Sequence, residues 1–260
     1  MSATHGTSPR KVISVIPARY GSTRLPAKPL ADIHGKPMIQ WVFERAAKAR
    51  GVDRTVVATD DERIARAVRE FGGEVVMTSS EINSGTDRVA AVADQIPGGS
   101  QDVFVNVQGD EPLIVGPAIE AAVELVASGR FPMGTVMTPL VSRAELHERS
   151  VVKVISDATG RAIYFSRLPI PYGRGPEPQY PFAEGAFVCR RHVGLYTYTR
   201  ETLLRFRAMP QSDLEKAEVL EQLRALQAGI PIGIAEVSFT SIGVDTPEDL
   251  EQVRKFLKKN

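Results

Sequence analysis

The sequence predicts an α/β fold with a mostly parallel central sheet and an inserted mixed segment near residues 130–200. Three observations carry that prediction. Apolar strand-like runs alternate with amphipathic helical stretches through the first half, which implies repeated β-α-β units with right-handed crossovers. One of those runs, Asp102–Val107, is almost continuously apolar, as suits a strand covered on both faces. The second half breaks the alternation with a hairpin pattern and a proline-rich stretch.

In chain order, Val12–Ile16 is a β-branched strand that ends at Pro17. Pro37 opens a helix whose apolar residues Met38, Ile39, Trp41, Val42 and Ala46 share one face. Arg54–Thr59 is the next strand. Asp60, Asp61 and Glu62 put acids at the start of the following helix, where the macrodipole favours them. That helix stops at Gly72-Gly73, and Glu74–Thr78 is strand again. Thr86–Ile96 is helical, Pro97-Gly98-Gly99 turns, and Asp102–Val107 is the central strand. Further on, Val151–Asp157 and Ala162–Ser166 flank Ala158-Thr159-Gly160 as a hairpin. Residues 169–181 hold five prolines and two glycines and read as a loop, open to a role as a mobile flap. Ser212-Asp-Leu-Glu215 has capping-box spacing and opens a helix expected to run to Gly229. Ile232–Val237 is strand, and Asp245-Thr-Pro-Glu-Asp249 starts the last helix with proline in its first turn. Residues 1–11 read as a flexible polar tail, leaving 12–260 as one domain.

Composition narrows the function. The chain of 260 residues is long enough to bury a large core. Lys plus Arg number 32 against 31 Asp plus Glu, a net charge of +1, which argues against general nucleic-acid affinity. The single cysteine, Cys189, has no intramolecular partner, so a reducing compartment is expected. The first eleven residues lack the apolar region of a signal peptide, and no apolar run is long enough for a membrane span. A cytoplasmic location and no membrane partner follow as expectations.

The loop after the first strand carries Arg19, Arg24 and Lys28 with no acid before Asp32, and Ala18, Gly21, Ser22 and Thr23 lie among them. Cations and close backbone approach at a strand's carboxyl end suit a polyphosphate, although the same pattern also describes a solvated basic loop. Neither a Walker A run nor a Gly-x-Gly-x-x-Gly fingerprint is present. Two carboxylates stand at strand ends. Asp110 follows the central strand in Asn106-Val-Gln-Gly-Asp-Glu-Pro112, and Asp245 follows Ile232–Val237 in Gly243-Val-Asp-Thr-Pro-Glu-Asp249. In an open parallel sheet such ends share one edge, so both acids should face the basic loop. Two hard oxygen donors beside a polyphosphate suit Mg²⁺. The competing readings are a turn acid for Asp110, supported by Gly109, and an ordinary helix N-cap for Asp245. His5, His34 and His147 carry no recognisable chemistry, whereas His192 lies in Arg190-Arg-His-Val-Gly-Leu-Tyr196. No zinc spacing, nucleophile elbow or serine–histidine arrangement is legible.

The ordered blocks Ile16-Pro-Ala-Arg-Tyr-Gly-Ser-Thr-Arg-Leu-Pro-Ala-Lys-Pro-Leu30, Val57-Ala-Thr-Asp60, Ser84-Gly-Thr-Asp-Arg88, Asn106–Pro112, Tyr164-Phe-Ser-Arg167, Arg191–Tyr196, Leu220-Glu-Gln-Leu223 and Gly243–Leu250 span the chain from about residue 12 to the last helix. Together they resemble the 3-deoxy-manno-octulosonate cytidylyltransferase family. The resemblance implies a Rossmann-like nucleotidyltransferase fold of the nucleotide-diphospho-sugar transferase type. It implies a homodimer and a place in lipopolysaccharide synthesis. The expected reaction joins CTP and 3-deoxy-manno-octulosonate (Kdo) into CMP-Kdo and pyrophosphate. By the same resemblance, Arg19 and Lys28 neutralise the CTP triphosphate, with Ala18, Ser22 and Arg24 in the same loop. Ser84, Gly85 and Arg88 read the cytosine, and Asp110 and Asp245 hold Mg²⁺. Gln108, Arg167, His192, Tyr196, Glu221 and Gln222 contact the Kdo carboxylate and hydroxyls. Arg19, Lys28, Asp110 and Asp245 form the catalytic set. The CTP-binding half is expected over about 12–130 and 240–260, with a sugar-binding and dimerisation segment over about 131–239.

The chain departs from the family at Leu168-Pro169, at the proline-rich tip Gly173–Tyr180, and in its longer tail before Lys11. These positions lie outside the blocks. The alternatives are another sugar-acid or sugar-phosphate nucleotidyltransferase, a metal-dependent glycosyltransferase, or a nucleotide-binding module without catalysis.

Overall fold

The computed structural model describes residues 10–21, 24–171, 189–239 and 242–259. Ser22 and Thr23 of the basic loop, the proline-rich tip from 172 onward and most of the N-terminal tail lie outside the described residues.

The first strand, β1 (Val12–Ala18), alternates as a buried strand should. Ile13 and Val15 enter one apolar cluster, and Val12, Ile16 and Ala18 enter another on the opposite face. A small ribbon, β2 (Asp32–Ile33) with β3 (Lys36–Pro37), leads into α1 (Met38–Ala47), which buries Met38, Ile39, Val42 and Ala46. Then come β4 (Arg54–Thr59), α2 (Glu62–Glu70), β5 (Glu74–Met77), α3 (Gly85–Gln95) and β6 (Val103–Asn106). Asp61 caps α2 by accepting the Arg63 N–H at 2.9 Å, and Ser84 caps α3 by accepting the Asp87 N–H at 3.0 Å. The helix α4 (Gly116–Ala127) and strand β7 (Met133–Thr138) complete this half.

The remainder comprises α5 (Arg143–His147), the hairpin β8 (Lys153–Ser156) and β9 (Ala162–Ser166), and β10 (Arg190–Thr199). After it follow α6 (Arg200–Ala208), α7 (Asp213–Glu218), α8 (Gln222–Gln227), β11 (Ile232–Glu236) and α9 (Pro247–Lys259). The main sheet runs β11-β7-β10-β6-β1-β4-β5, with β8 on β10 and β9 on β8. Pairs β1/β4, β1/β6, β4/β5 and β7/β11 are parallel, and β10 is antiparallel to β6 and β7. The mixed segment is therefore not a separate insertion. Its longest strand lies inside the central sheet and joins the two parallel groups.

One expected element is different. The capping box at Ser212 and Glu215 forms, but the helix ends at Glu218 and restarts at Gln222. Val219 stands between the two in the left-handed region at φ 53°. The break brings Glu215 and Arg224 together. In a straight helix residues nine apart point about 180° from one another. Breaking the helix folds α8 back, and the Arg224 guanidinium reaches Glu215 with bonds of 2.8 and 2.6 Å. The same guanidinium lies 4.6 Å from the Phe206 ring centroid. Both charged groups are nearly buried, so each depends on the other.

That dependence gives a test. Glu215→Gln leaves Arg224 buried without its counter-charge and is expected to cost about 3 kcal/mol, whereas the double change Glu215→Leu with Arg224→Met should cost clearly less. Urea denaturation of the wild type and both variants checks this, and equal losses for single and double variants would overturn it.

Candidate active site

At the carboxyl edge of the parallel strands, the β1–α1 loop meets the loop after β6. The approach is close because Gly109 carries no side chain: a Cβ there would lie 2.7 Å from the Pro17 carbonyl oxygen. The β1 loop is drawn together by the Ala27 N–H bonding to the Tyr20 carbonyl at 3.2 Å, with Ala27 at φ 55°. This shape aims Lys28 inward. Its Nζ donates to Asp110 Oδ2 at 2.6 Å and to Asp245 Oδ1 at 3.1 Å. Arg24 pairs with the other oxygen of Asp245 at 3.1 Å.

Asp245 is free for this role because it does not cap the last helix. Thr246 does, accepting the Asp249 N–H at 3.3 Å, while Asp249 accepts from the N–H groups of Asp245 and Thr246 at 3.0 and 2.9 Å. Asp249 thus takes the capping load that the sequence allowed for Asp245. Burial alone would lower the Lys28 pKa, but Asp110 and Asp245 outweigh it and hold the ammonium above its ordinary value. Burial raises Asp245, and Lys28 with Arg24 outweighs that too, so its carboxyl lies below the usual range.

A cavity of about 420 Å³ opens over this cluster, lined by Ala18, Arg19, Arg24, Lys28, Gly85, Arg88, Gln108, Asp110 and Asp245 among others. Arg88 is fully buried and bonds the Thr78 hydroxyl and, at 3.2 Å, the Ile82 carbonyl, with Asp60 3.5 Å away. Arg19 bonds the same Ile82 carbonyl. Burial pulls the Arg88 guanidinium below the usual arginine range; Asp60 opposes that pull and Arg19 adds to it. Two guanidiniums held on one carbonyl form an anion-attracting wall.

A second cavity of about 670 Å³ adjoins the first and shares Arg24 and Asp245 with it. His192, Tyr196 and Gln222 line it, with Arg191, Glu111 and Asp249. The His192 ring sits between Phe165 and Tyr196, at 4.9 and 5.3 Å between centroids. Burial pushes its pKa down to about 3 and pushes the Tyr196 phenol well up. Gln222 is buried, and among the described residues its Nε2 has no hydrogen-bond partner.

The cytidylyltransferase family profile matches residues 13–234. A curated relative from Geobacter metallireducens, named 3-deoxy-manno-octulosonate cytidylyltransferase, is 50% identical over 253 residues, covering 96% of this chain and 98% of its own. The chain belongs to the 3-deoxy-manno-octulosonate cytidylyltransferase family. A relative of the same name from Geobacter sulfurreducens is 49% identical over 95% of this chain and 99% of its own. A solved CMP:2-keto-3-deoxy-manno-octonic acid synthetase complexed with CTP superposes with a TM-score of 0.86 at 43% identity, covering 96% of this chain and 99% of that one. A cytidylyltransferase from Leptospira borgpetersenii, at 18% identity and a TM-score of 0.61 over 96% of this chain and 88% of that one, shares the fold. The nucleotidyltransferase fold expected from the motif blocks is the one present.

Not every residue expected from the 3-deoxy-manno-octulosonate cytidylyltransferase resemblance reaches the two cavities. Ser22 lies outside the described residues. Ser84 accepts the Asp87 N–H at the α3 cap and lines a third cavity rather than these two. Gln108 lines the smaller cavity, not the larger. Arg167 lines neither: its guanidinium bonds the carbonyls of Glu218, Arg149 and Val219 at 2.8, 3.2 and 3.2 Å. Glu221 accepts the Thr86 hydroxyl at 2.6 Å and lines a third cavity with Asn83, Ser84 and Asp87. Burial pushes its carboxyl up. Sequence reading missed Asp60, Arg191 and Asp249 as site residues, although each stands inside one of the family blocks.

The charge cluster sets a pH dependence. The Asp245 carboxyl lies below its unfolded value, so its contribution is present above that value and lost as pH falls through the lower folded one. Lys28, raised, contributes at all pH below its unfolded value. Stability of the ligand-free protein from this cluster is therefore flat at neutral pH. Between about pH 5 and pH 3 the wild type should lose stability more steeply than Asp245→Asn. Denaturant midpoints across that range check this, and parallel curves would refute it.

Proposed function

We propose that this chain activates Kdo, converting CTP and Kdo into CMP-Kdo and pyrophosphate for lipopolysaccharide synthesis. The observation that carries the reading is the shared wall: a cationic cavity and an adjoining acceptor cavity meet at Arg24 and Asp245. A reaction that joins a nucleotide to a second substrate needs such a meeting point. The names of the relatives, and the CTP with which the solved neighbour is complexed, support the same assignment.

In this reading the triphosphate lies along Arg19, Arg24 and Lys28, and the base lies toward Gly85 and Arg88. Residues from about 12–130 and 240–260 supply the nucleotide side, and those from about 131–239 supply most of the sugar side. The anomeric hydroxyl of Kdo attacks the α-phosphorus, forming the new P–O bond as the bond to pyrophosphate breaks. The chain contributes position and charge: it aligns the two substrates and neutralises the leaving pyrophosphate with Arg19 and Lys28.

The residues present fit a divalent cation. Two hard carboxylate oxygens, from Asp110 and Asp245, already converge on one positive atom, Lys28 Nζ. Among the described residues no group of three acidic, histidine or cysteine side chains forms a complete metal cage, so phosphate oxygens and water would supply the remaining ligands. Bound there, Mg²⁺ would offset phosphate charge and lower the proton affinity of the attacking hydroxyl.

Among the described residues no helix is long and apolar enough to cross a membrane. We assign the enzyme to the cytoplasm, where CTP is made, and expect a homodimer. Exposed Ile163 on the outer strand β9 and Leu168 just beyond it support a protein contact there.

Pyrophosphate release with CTP, Mg²⁺ and Kdo tests the reading, with ATP, GTP, UTP and sialic acid as controls. Release should require both CTP and Kdo; a folded protein that releases none with any sugar acid would refute it. Asp110→Asn should lower turnover by roughly a hundredfold or more with an unchanged circular dichroism spectrum, and normal turnover would remove Asp110 from the mechanism.

A further inference from the structure

The strand pairing of β10 with β7 is irregular at one place. Val193 faces Val136 and Tyr196 faces Thr135, so two residues of β10, Gly194 and Leu195, are inserted against none of β7. The bulge turns two carbonyl oxygens toward the fully buried side chain of Thr135. Its hydroxyl lies 2.8 Å from the Leu195 carbonyl oxygen and 3.3 Å from that of Val193. The same hydroxyl lies 2.9 Å from His192 Nε2.

A hydroxyl has one proton. Carbonyl oxygens only accept, so the two short contacts to carbonyls are favourable only if Thr135 donates its proton to them. Were that proton directed at His192, lone pairs of the hydroxyl would face two carbonyl oxygens in a buried site. Toward the imidazole, therefore, Thr135 can only accept. His192 must donate from Nε2, giving a chain from ring to hydroxyl to backbone that strengthens each link. A neutral imidazole with a proton on Nε2 keeps a lone pair on Nδ1. Among the described residues no hydrogen bond to Nδ1 is present, and His192 lines the larger cavity.

We infer that Thr135 is a positioning residue that holds His192 as its Nε2–H tautomer, leaving Nδ1 as an acceptor that takes a hydrogen bond from a hydroxyl of the bound sugar acid. The inference rests on reading the larger cavity as the sugar-acid site. It changes the expected division of labour there. An acceptor nitrogen repels a carboxylate, so His192 reads a hydroxyl, and the substrate carboxylate falls to the Arg191 guanidinium on the cavity wall. The apolar flanks of the ring, Phe165 and Tyr196, also disfavour an imidazolium.

The first arm of the test needs no turnover. Long-range proton–nitrogen NMR on the protein labelled with ¹⁵N-histidine, with the His192 signals assigned by their loss in His192→Gln, reports both ring nitrogens directly. At neutral pH Nε2 is expected in the protonated range and Nδ1 in the unprotonated range. A proton on Nδ1, alone or with Nε2, would overturn the inference. The second arm is kinetic. Thr135→Val should raise KM for Kdo about tenfold, the scale of one lost hydrogen bond, with KM for CTP unchanged, and Thr135→Ser should restore it. Equal effects on both substrates, or no rescue by serine, would show a merely structural role. If Thr135→Val does not fold, Thr135→Ser and the wild-type spectrum decide. Should the wild type turn over no Kdo at all, the substrate assignment fails, while the spectrum still settles the tautomer.

Discussion

Lys28 is the charge on which the site turns. It is only 15% exposed and bonds one carboxylate from the middle of the chain and one from near its end. Three features must coincide for that contact to exist. The parallel pair β1 and β6 must end together, Gly109 must let their loops touch, and Asp249 must relieve Asp245 of the helix cap. The cluster costs little without ligand because cations and acids balance within it. That balance also limits it: Lys28 can turn to a phosphate only when something else neutralises Asp110 and Asp245. On the proposed reading, nucleotide and counter-cation are accommodated together rather than in isolation.

What the sequence reveals and what it hides follow from the range of the forces involved. Arg54–Thr59 was legible to the residue because its start and its acidic end are local signals. Asp110 and Asp245 were legible as a pair because parallel strands deliver their carboxyl ends to one edge whatever the intervening chain does. The helix expected over 212–229 failed for a non-local reason. Local propensity supports it throughout, but a turn at Val219 brings Glu215 and Arg224 together as a buried pair. The place of β10 between β7 and β6 was also hidden, since its neighbours in space are set by pairing across long stretches of chain. Arg167 and Glu221 hold contacts that their motif blocks do not foretell. Both stand in family blocks, yet their side chains are engaged with Glu218, Val219 and Thr86.

On the proposed reading, the sugar side is built by different means from the phosphate side. Around Lys28, attraction between full charges tolerates small errors of position. In the larger cavity, selectivity depends on hydrogen-bond direction, which demands side chains that cannot rotate. The aromatic row Phe165, His192, Tyr196, Tyr198 and Phe206 runs along one face of the sheet, with neighbouring centroids between 4.9 and 6.3 Å apart. It ends under Arg224, the residue that also pairs with Glu215.

Gln222 makes the chemical logic explicit. Its Nε2 is buried and has no partner among the described residues, a state that costs roughly 1–3 kcal/mol unless a ligand supplies an acceptor. His192 offers the complementary group, an acceptor without a donor. A wall with one unused donor and one unused acceptor matches hydroxyls, which give and take hydrogen bonds at once. On the proposed reading, these two side chains suit the hydroxyls of the second substrate, while the Arg191 guanidinium on the same wall suits its acid group.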